Sequence, residues 1–238
     1  MPNSAKRRDR RSKLQPLAVV LLALTLPILS SCLSSSDPWR AAVESARSGQ
    51  TDRIEIAARK INDVDLAAVR DLAQLRELIV DDSRVTDRGL DALTKLQSLH
   101  HLRLRGARIT DAGLPTLAKL PSLRMLNLPH ADLTDSGLNE LRRMDGLELL
   151  RLGSPRVTDA GIESIAKLPN LKYLHLIDVP LTDAGLAHLE SCSTLKSLYL
   201  DGARVTDDGV DRLIKALPNL HLHVDQRHSD RDPRRNHE

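Results

Sequence analysis

The sequence predicts an α/β solenoid, or horseshoe, with parallel strands on its concave face and short helices on its convex face. The first observation behind this prediction is a Thr-Asp-x-Gly tetrad that recurs every 24 residues. Its aspartates are Asp87, Asp111, Asp135, Asp159, Asp183 and Asp207. The second observation is the pattern L-x-x-L-x-L before each tetrad, as in residues 99–104. A fixed period of this length indicates stacked units that share one continuous core.

Each predicted unit contains a strand, a turn and a helix. The alternation of leucines in L-x-L puts two of them on one face of a short strand, which is then buried on one side. The Thr-Asp pair offers side-chain oxygens to the free N–H groups at a helix start. Leucines three residues apart, such as Leu114 and Leu117, give the helix an inward stripe, and Pro121 stands where the helix has to end. The recurrent glycine is explained either by close approach of neighbouring units or by a positive φ angle.

The repeat domain is predicted to span residues 51–224, with about seven 24-residue repeats followed by a terminal strand. Its first repeat is degenerate, because isoleucines Ile54 and Ile56 occupy the strand positions. Residues 37–50 predict an N-terminal capping helix, in which Asp37 is the N-cap and Pro38 the first helical residue. Its apolar face consists of Trp39, Val43 and Ala46. Residues 225–238 are almost wholly polar and predict a disordered tail.

Residues 1–31 are predicted to be a signal peptide. They combine a basic start, an apolar run from Leu17 to Leu29 that is too short to span a bilayer, and a stretch of small residues. The sequence Leu29-Ser30-Ser31-Cys32 resembles a bacterial lipobox. This resemblance implies that Cys32 carries lipid, including palmitate, as the first residue of the mature chain, within a tether of residues 32–36. Ordinary secretion and an uncleaved membrane anchor are the alternatives.

The charge balance argues against a nucleic-acid partner. The whole chain carries a formal net charge of +3, but the first 31 residues contain six of its 35 basic side chains and one of its 32 acidic ones. The remainder has 29 basic and 31 acidic side chains, a net charge of −2. We therefore expect no attraction to polyanions, and membrane contact only through the N-terminal lipid. The expected location is the periplasmic or surface side of a bacterial cell envelope.

The repeats resemble those of leucine-rich-repeat proteins, in particular the bacterial variety whose units read T-D-A-G-L. The resemblance covers residues 51–224 and implies the fold much more specifically than the function. One departure is that the usual asparagine of the loop after the strand is absent. The residues in its place are Ser83, Ala107, Ala131, Pro155, Val179 and Ala203. An asparagine ladder cannot form, so we expect the Thr-Asp pairs to satisfy part of that backbone.

The side chains between the strand leucines form the exposed concave face, where solenoids commonly bind partners. Its central positions are Glu55, Ile79, Arg103, Asn127, Arg151, His175, Tyr199 and His223. The predicted partner-binding residues are Arg103, Arg151, Tyr173, His175, Tyr199 and His223. The tyrosines and histidines form a patch of amphipathic rings that suits an interface hot spot. The alternative is that aromatic residues favour strands whatever their function.

A second cluster of basic side chains admits two interpretations. It consists of His100, His101, Arg103, Arg105 and Arg124. It favours an acidic partner, or it is a mixed solvated face, because acidic residues such as Glu77 and Asp81 lie on neighbouring strands.

No catalytic site, metal site or cofactor is predicted. His221 and His223 point to one side of a strand, but two imidazoles are a weak metal signal without a third ligand from His175 or Asp201. The recurrent Asp-x-Gly is explained better by helix capping than by calcium. Cys192 is in register with buried leucines and is expected to be a small buried hydrophobe.

The predicted function is therefore that of a non-enzymatic cell-envelope lipoprotein that binds a protein or peptide partner through its concave face. Two other functions stay open. The first is a structural spacer that organises the envelope without a tight partner. The second is recognition of polysaccharide, which the scarcity of aromatic residues disfavours.

Overall fold

The computed structural model describes residues 37–225 and, for the backbone alone, residues 227–228. The predicted signal peptide, Cys32 and the rest of the tether to residue 36 lie outside the described residues. Within the described part, no helix has the length and apolar character needed to cross a bilayer.

One sheet of nine strands runs through the repeat domain, with its strands in chain order. The strands are β1 (Arg53–Ile56), β2 (Glu77–Val80), β3 (His101–Leu104), β4 (Met125–Leu128), β5 (Leu149–Gly153), β6 (Tyr173–Ile177), β7 (Ser197–Asp201), β8 (His221–Val224) and β9 (Arg227–His228). Strands β1 to β8 are parallel, and each residue pairs with the one 24 positions later, as Ile54 does with Leu78. The offset between paired residues of neighbouring strands therefore equals the 24-residue period of the sequence.

The returning segments of the units are short helices. The α-helices are α1 (Pro38–Arg47), α2 (Asp63–Leu66), α3 (Leu114–Leu117), α4 (Asp135–Leu138), α5 (Asp159–Ala166), α6 (Asp183–Leu189) and α7 (Asp207–Ala216). The 3₁₀ segments are Ala67–Val69, Gly89–Leu93, Asp111–Gly113 and Asn139–Arg143. A three-residue spacing of leucines also suits a 3₁₀ turn, in which residues i and i+3 share a face.

The prediction of an α/β solenoid is confirmed. The strand leucines and the helix leucines meet in a single apolar cluster that extends from Trp39 to Leu222. The core consists of similar layers of leucine and other aliphatic residues, with few aromatic side chains. Thin layers of this kind suffice because each unit contacts only its neighbours. The hydrophobic effect of this burial is the main stabilising contribution to the domain.

Helix α1 covers the N-terminal end of the apolar core. Asp37 accepts a hydrogen bond from the Trp39 backbone N–H at 3.1 Å, and Pro38 occupies the first helical position, where no N–H is required. Trp39, Val43 and Ala46 are buried against the first repeat. The Trp39 indole Nε1–H also donates to the Asp65 carbonyl at 3.2 Å, so that the one polar atom of this ring is satisfied.

A ladder of aspartate–threonine pairs connects successive units. The threonine of each following unit donates its backbone N–H to Oδ1 of the preceding aspartate and its hydroxyl to Oδ2, as Thr134 does to Asp111 at 2.8 and 2.5 Å. The six aspartates of this Asp–Thr ladder are Asp63, Asp87, Asp111, Asp135, Asp159 and Asp183. At the last pair, the hydrogen bonds from Thr206 hold the pKa of Asp183 below its ordinary value.

The ladder corrects the predicted role of the Thr-Asp pair. In four units the threonine, and not the aspartate, caps its own helix, as Thr158 does by accepting from the Ala160 N–H at 3.3 Å. The aspartate is the first helical residue and turns its carboxylate toward the next unit instead. Its negative charge at a helix N-terminus is favourable in addition to these hydrogen bonds.

The recurrent glycine is required by close approach and not by backbone conformation. The positive-φ glycines of the described residues are Gly49, Gly106 and Gly202, none of which belongs to a tetrad. A Cβ atom on Gly137 would overlap the Asp111 carboxylate of the preceding unit. The other tetrad glycines meet the preceding aspartate in the same way, so glycine and ladder form one packing arrangement.

Regular structure continues past residue 224, where the sequence predicts the tail to begin. Asp225 adopts a positive φ of 49°, and residues 227–228 then pair antiparallel with β8. A chain reversal at Asp225 therefore adds a short strand to the end of the sheet. The remainder of the predicted tail, residues 229–238, lies outside the described residues.

We predict that Gly137→Ala lowers the free energy of unfolding by about 2 kcal/mol, because the added methyl group displaces Asp111 and its two hydrogen bonds to Thr134. This loss would exceed the gain of about 1 kcal/mol in helix propensity. Urea unfolding followed by circular dichroism measures the change.

The matched control is Gly146→Ala, whose methyl group would meet chiefly the flexible end of the Arg124 side chain. We expect a change below about 0.5 kcal/mol for this variant. Equal effects of the two substitutions would contradict the close-approach explanation.

Candidate functional site

The concave sheet face carries three columns of side chains that alternate with the buried leucines. The central column is Glu55, Ile79, Arg103, Asn127, Arg151, His175, Tyr199 and His223. The first column, two residues earlier on each strand, is Arg53, Glu77, His101, Met125, Leu149, Tyr173, Ser197 and His221. The third column, two residues later, includes Asp81, Arg105, Pro129, Gly153, Ile177 and Asp201. Neighbours within a column are about 4.8 Å apart across the sheet.

A pocket of about 200 Å³ opens in the middle of this face. The residues that line this central pocket are Asn127, Leu149, Leu150, Arg151, Tyr173, Leu174, His175 and Tyr199. Four of the six predicted partner-binding residues therefore meet in one place. Tyr173 is 42% exposed, whereas most large apolar side chains of the described residues are buried.

Aromatic rings of the central column stack next to the pocket. The rings of Tyr199 and His223 lie 4.3 Å apart and nearly parallel, and His175 lies 5.4 Å from Tyr199 on the other side. Nε2 of His175 is 2.7 Å from Oδ2 of Asp201, which fixes the orientation of the imidazole. His223 thus supports the patch from outside the pocket, by contact with Tyr199.

The two predicted arginines have different surroundings. Arg103 lies outside the pocket and forms an ion pair with Asp81, with Nη2 2.7 Å from Oδ1. Arg151 lines the pocket, and its Nε atom is buried without a hydrogen-bond partner among the described residues. Burial lowers the pKa of Arg151, and the positive charges of Arg103 and Arg105 lower it further, whereas the negative charge of Asp201 opposes the shift.

Two central positions that the sequence predicts to be exposed are covered. Ile79 is 4% exposed and Asn127 is 8% exposed. The sequence pattern predicts the correct face for both side chains but not their burial on that face. Asn127 and Leu149 were absent from the predicted binding residues, although an apolar leucine at a face position was a signal for the pocket.

Acidic side chains lie beside the basic cluster around strand β3 and compensate part of its charge. Besides the pair between Arg103 and Asp81, Arg53 contacts both Glu55 and Glu77. His101 is half-buried, and that burial lowers the pKa of its imidazole. These contacts favour the mixed-face interpretation for this end of the sheet.

Among the residues that the structure describes, no group of three or more His, Cys, Asp and Glu side chains could hold a metal ion. The Nε2 atoms of His221 and His223 approach to 2.7 Å. Five tetrad aspartates, from Asp87 to Asp183, accept hydrogen bonds from threonines, which explains the Asp-x-Gly motif without calcium.

Cys192 is buried in the leucine register and its thiol lies 3.2 Å from the Ala166 carbonyl oxygen. Burial raises the pKa of this thiol to about 11. Since the thiolate is the nucleophile, Cys192 has little reactivity at neutral pH.

Comparisons with known proteins agree with this geometry. A family model described as a leucine-rich repeat matches residues 95–118 and 191–213. Among solved structures, an internalin C2 from Listeria monocytogenes is similar with a TM-score of 0.58 and 22% identity, over 84% of this chain and 89% of that one. A search of curated protein sequences finds no match. The fold is a leucine-rich-repeat solenoid, an architecture that commonly serves as a scaffold for protein interactions.

We predict that Cys192 reacts slowly with a thiol reagent such as DTNB at pH 8 in the folded protein and rapidly in denaturant, because both burial and a raised thiol pKa suppress the thiolate. Absorbance of the released thiolate dye measures the rate in a Cys32→Ser background. Rapid labelling of the folded protein would contradict the burial of this side chain.

Proposed function

Proceeding from the leucine-rich-repeat fold, we propose that this protein is a non-enzymatic binding module, exported and lipid-anchored in a bacterial cell envelope. Its concave face binds a protein or peptide partner. The observation that carries this proposal is the central pocket, with the exposed ring of Tyr173 on its wall. A pocket with an aromatic rim is a typical anchor site in protein interfaces.

The different roles of repeated and non-repeated residues support binding at this face. The recurrent Thr, Asp and Gly residues have structural roles in the Asp–Thr ladder, as Asp111 and Gly137 do. The concave columns, in contrast, differ from unit to unit. Side chains that vary along a regular scaffold can complement one particular partner, whereas the repeated ones stabilise the fold.

The sequence of the first 32 residues supports export and lipid anchoring. It combines a basic start, a 13-residue apolar run and a lipobox-like Leu-Ser-Ser-Cys that ends at Cys32. A lipid at this cysteine would hold the repeat domain at the membrane surface. The net charge of −2 for the chain from Cys32 onward gives no electrostatic attraction to anionic lipid headgroups.

We predict that a photo-crosslinking amino acid at position 173 produces a discrete crosslinked species in living cells. The matched control is the same amino acid at position 142, because Arg142 is exposed on the helical side of the solenoid. Crosslinking at 173 but not at 142, seen as a shifted band on an immunoblot, supports recognition at the concave face. The double variant Tyr173→Ala, Tyr199→Ala should then weaken binding to the crosslinked partner.

Two results would contradict the proposal. The absence of any crosslink at 173 favours the structural spacer. A crosslink at 142 alone would move the interface to the convex side.

We predict that Cys32→Ser abolishes incorporation of an alkynyl palmitate label and leaves the signal peptide attached, because the lipidated thiol is lost. Cys192→Ser, the matched control in a chain with two cysteines, should retain the label. In-gel fluorescence after metabolic labelling in a bacterial host measures both variants. Persistent labelling of Cys32→Ser would exclude Cys32 as the lipidation site.

A further inference from the structure

We propose that the central pocket binds an acidic side chain, an aspartate or glutamate, on an extended peptide segment of the partner. Arg151 supplies the counter-charge for the carboxylate. This inference rests on the proposed function, because it names the chemistry of the partner for the same site.

The first argument is that Arg151 has no acidic side chain next to it on the sheet. On its own strand, its face neighbours are Leu149 and Gly153, and in its column they are Asn127 and His175. The diagonal positions are likewise without a carboxylate: Met125, Pro129, Tyr173 and Ile177. None of the positions next to Arg151 on this face is therefore acidic. The register of the columns shows this directly from the sequence.

The second argument is that the acidic side chains within longer reach have other partners. Asp81 contacts Arg103, and Glu148 receives a hydrogen bond from Lys172 at 2.7 Å. Asp201, two strands away, attracts Arg151 through space, but its carboxylate contacts His175. Arg151 has neither an ion pair nor a side-chain hydrogen bond among the described residues, and a partly desolvated charge without a partner is unfavourable. A carboxylate delivered by a ligand would remove this cost.

The third argument is an unsatisfied acceptor in the wall of the pocket. Asn127 is 8% exposed, and its Oδ1 atom is buried without a hydrogen-bond partner. A buried amide oxygen needs an N–H donor. An extended peptide offers backbone N–H groups beside its side chains, so one segment can supply both the donor for Asn127 and the carboxylate for Arg151.

The apolar surroundings of the pocket strengthen such an ion pair, and the volume of the pocket limits the size of the group that can bind. Leu149, Tyr173 and Tyr199 border the pocket, and an apolar environment makes a charge-assisted hydrogen bond stronger than the same bond in water. The volume of about 200 Å³ is smaller than typical small-molecule sites of 300–1,000 Å³. The pocket therefore fits a single side chain with an adjacent apolar residue on the rim, next to Tyr173.

The test is a selection from a random seven-residue peptide library on the full-length protein in detergent. We expect the enriched peptides to contain Asp or Glu next to a large apolar residue. Replacing the acid of a selected peptide by its amide should weaken binding about tenfold or more, because a charge-assisted pair is lost. Fluorescence anisotropy measures the affinities. Enrichment without an acidic preference would overturn the proposal.

A double-mutant cycle assigns the effect to Arg151. In Arg151→Gln, the acid peptide and its amide should bind with equal affinity, whereas the control Arg142→Gln should retain the full difference between them. Arg151→Glu distinguishes a charge effect from a folding defect. It should reverse the preference and select basic peptides, whereas a misfolded protein would bind neither class. An acid-to-amide difference that persists in Arg151→Gln would exclude Arg151 as the counter-charge.

Two further outcomes are informative. Tighter binding of polygalacturonate, an acidic polysaccharide, than of the selected peptides would overturn a peptide partner. Crosslinking at position 173 that is unchanged by Arg151→Gln would overturn this inference and leave the proposed function standing. The absence of crosslinking at position 173 in the protein that keeps Arg151 would instead reject the proposed function.

Discussion

The structure depends on the contact between the aspartate of one unit and the threonine and glycine of the next. The carboxylate of Asp111 receives two hydrogen bonds from Thr134 and lies where a side chain on Gly137 would be. Because this contact repeats every 24 residues, it fixes the distance and the rotation between successive units. The strands then have no freedom to slip, since a one-residue shift would turn the leucines to the solvent.

This constraint also gives the recurrent polar motif a structural role. Each ladder aspartate uses both carboxylate oxygens for one threonine, and that threonine caps its helix or completes the backbone bonding of the turn. The side chains that differ from unit to unit are those of the concave columns, and they are the ones that can distinguish one partner from another.

The sequence predicted the strands, their register and the columns, because a period of 24 residues and the spacing of leucines are local patterns. It did not predict which group each polar residue contacts. The sequence pattern assigns the aspartate to its own helix, leaves two explanations for the glycine, and places Ile79 and Asn127 at the surface, where the structure buries both. These features depend on distances between units, which only the folded arrangement sets. The strand formed by residues 227–228 likewise depends on the positive φ of Asp225, a residue type that tolerates this conformation but does not require it.

The central pocket lies where the third column has no charged residue. Near the N-terminal strands, Arg103 forms an ion pair with Asp81, which follows the neighbouring strand. Around Arg151 the third column contains Pro129 and Gly153, and a Cβ atom at Gly153 would overlap the Pro129 carbonyl oxygen. This close backbone approach leaves no room for a side chain there, acidic or otherwise. The glycine that permits this close packing therefore leaves Arg151 without an acidic neighbour on its own strand, and a carboxylate of the proposed peptide would supply that charge.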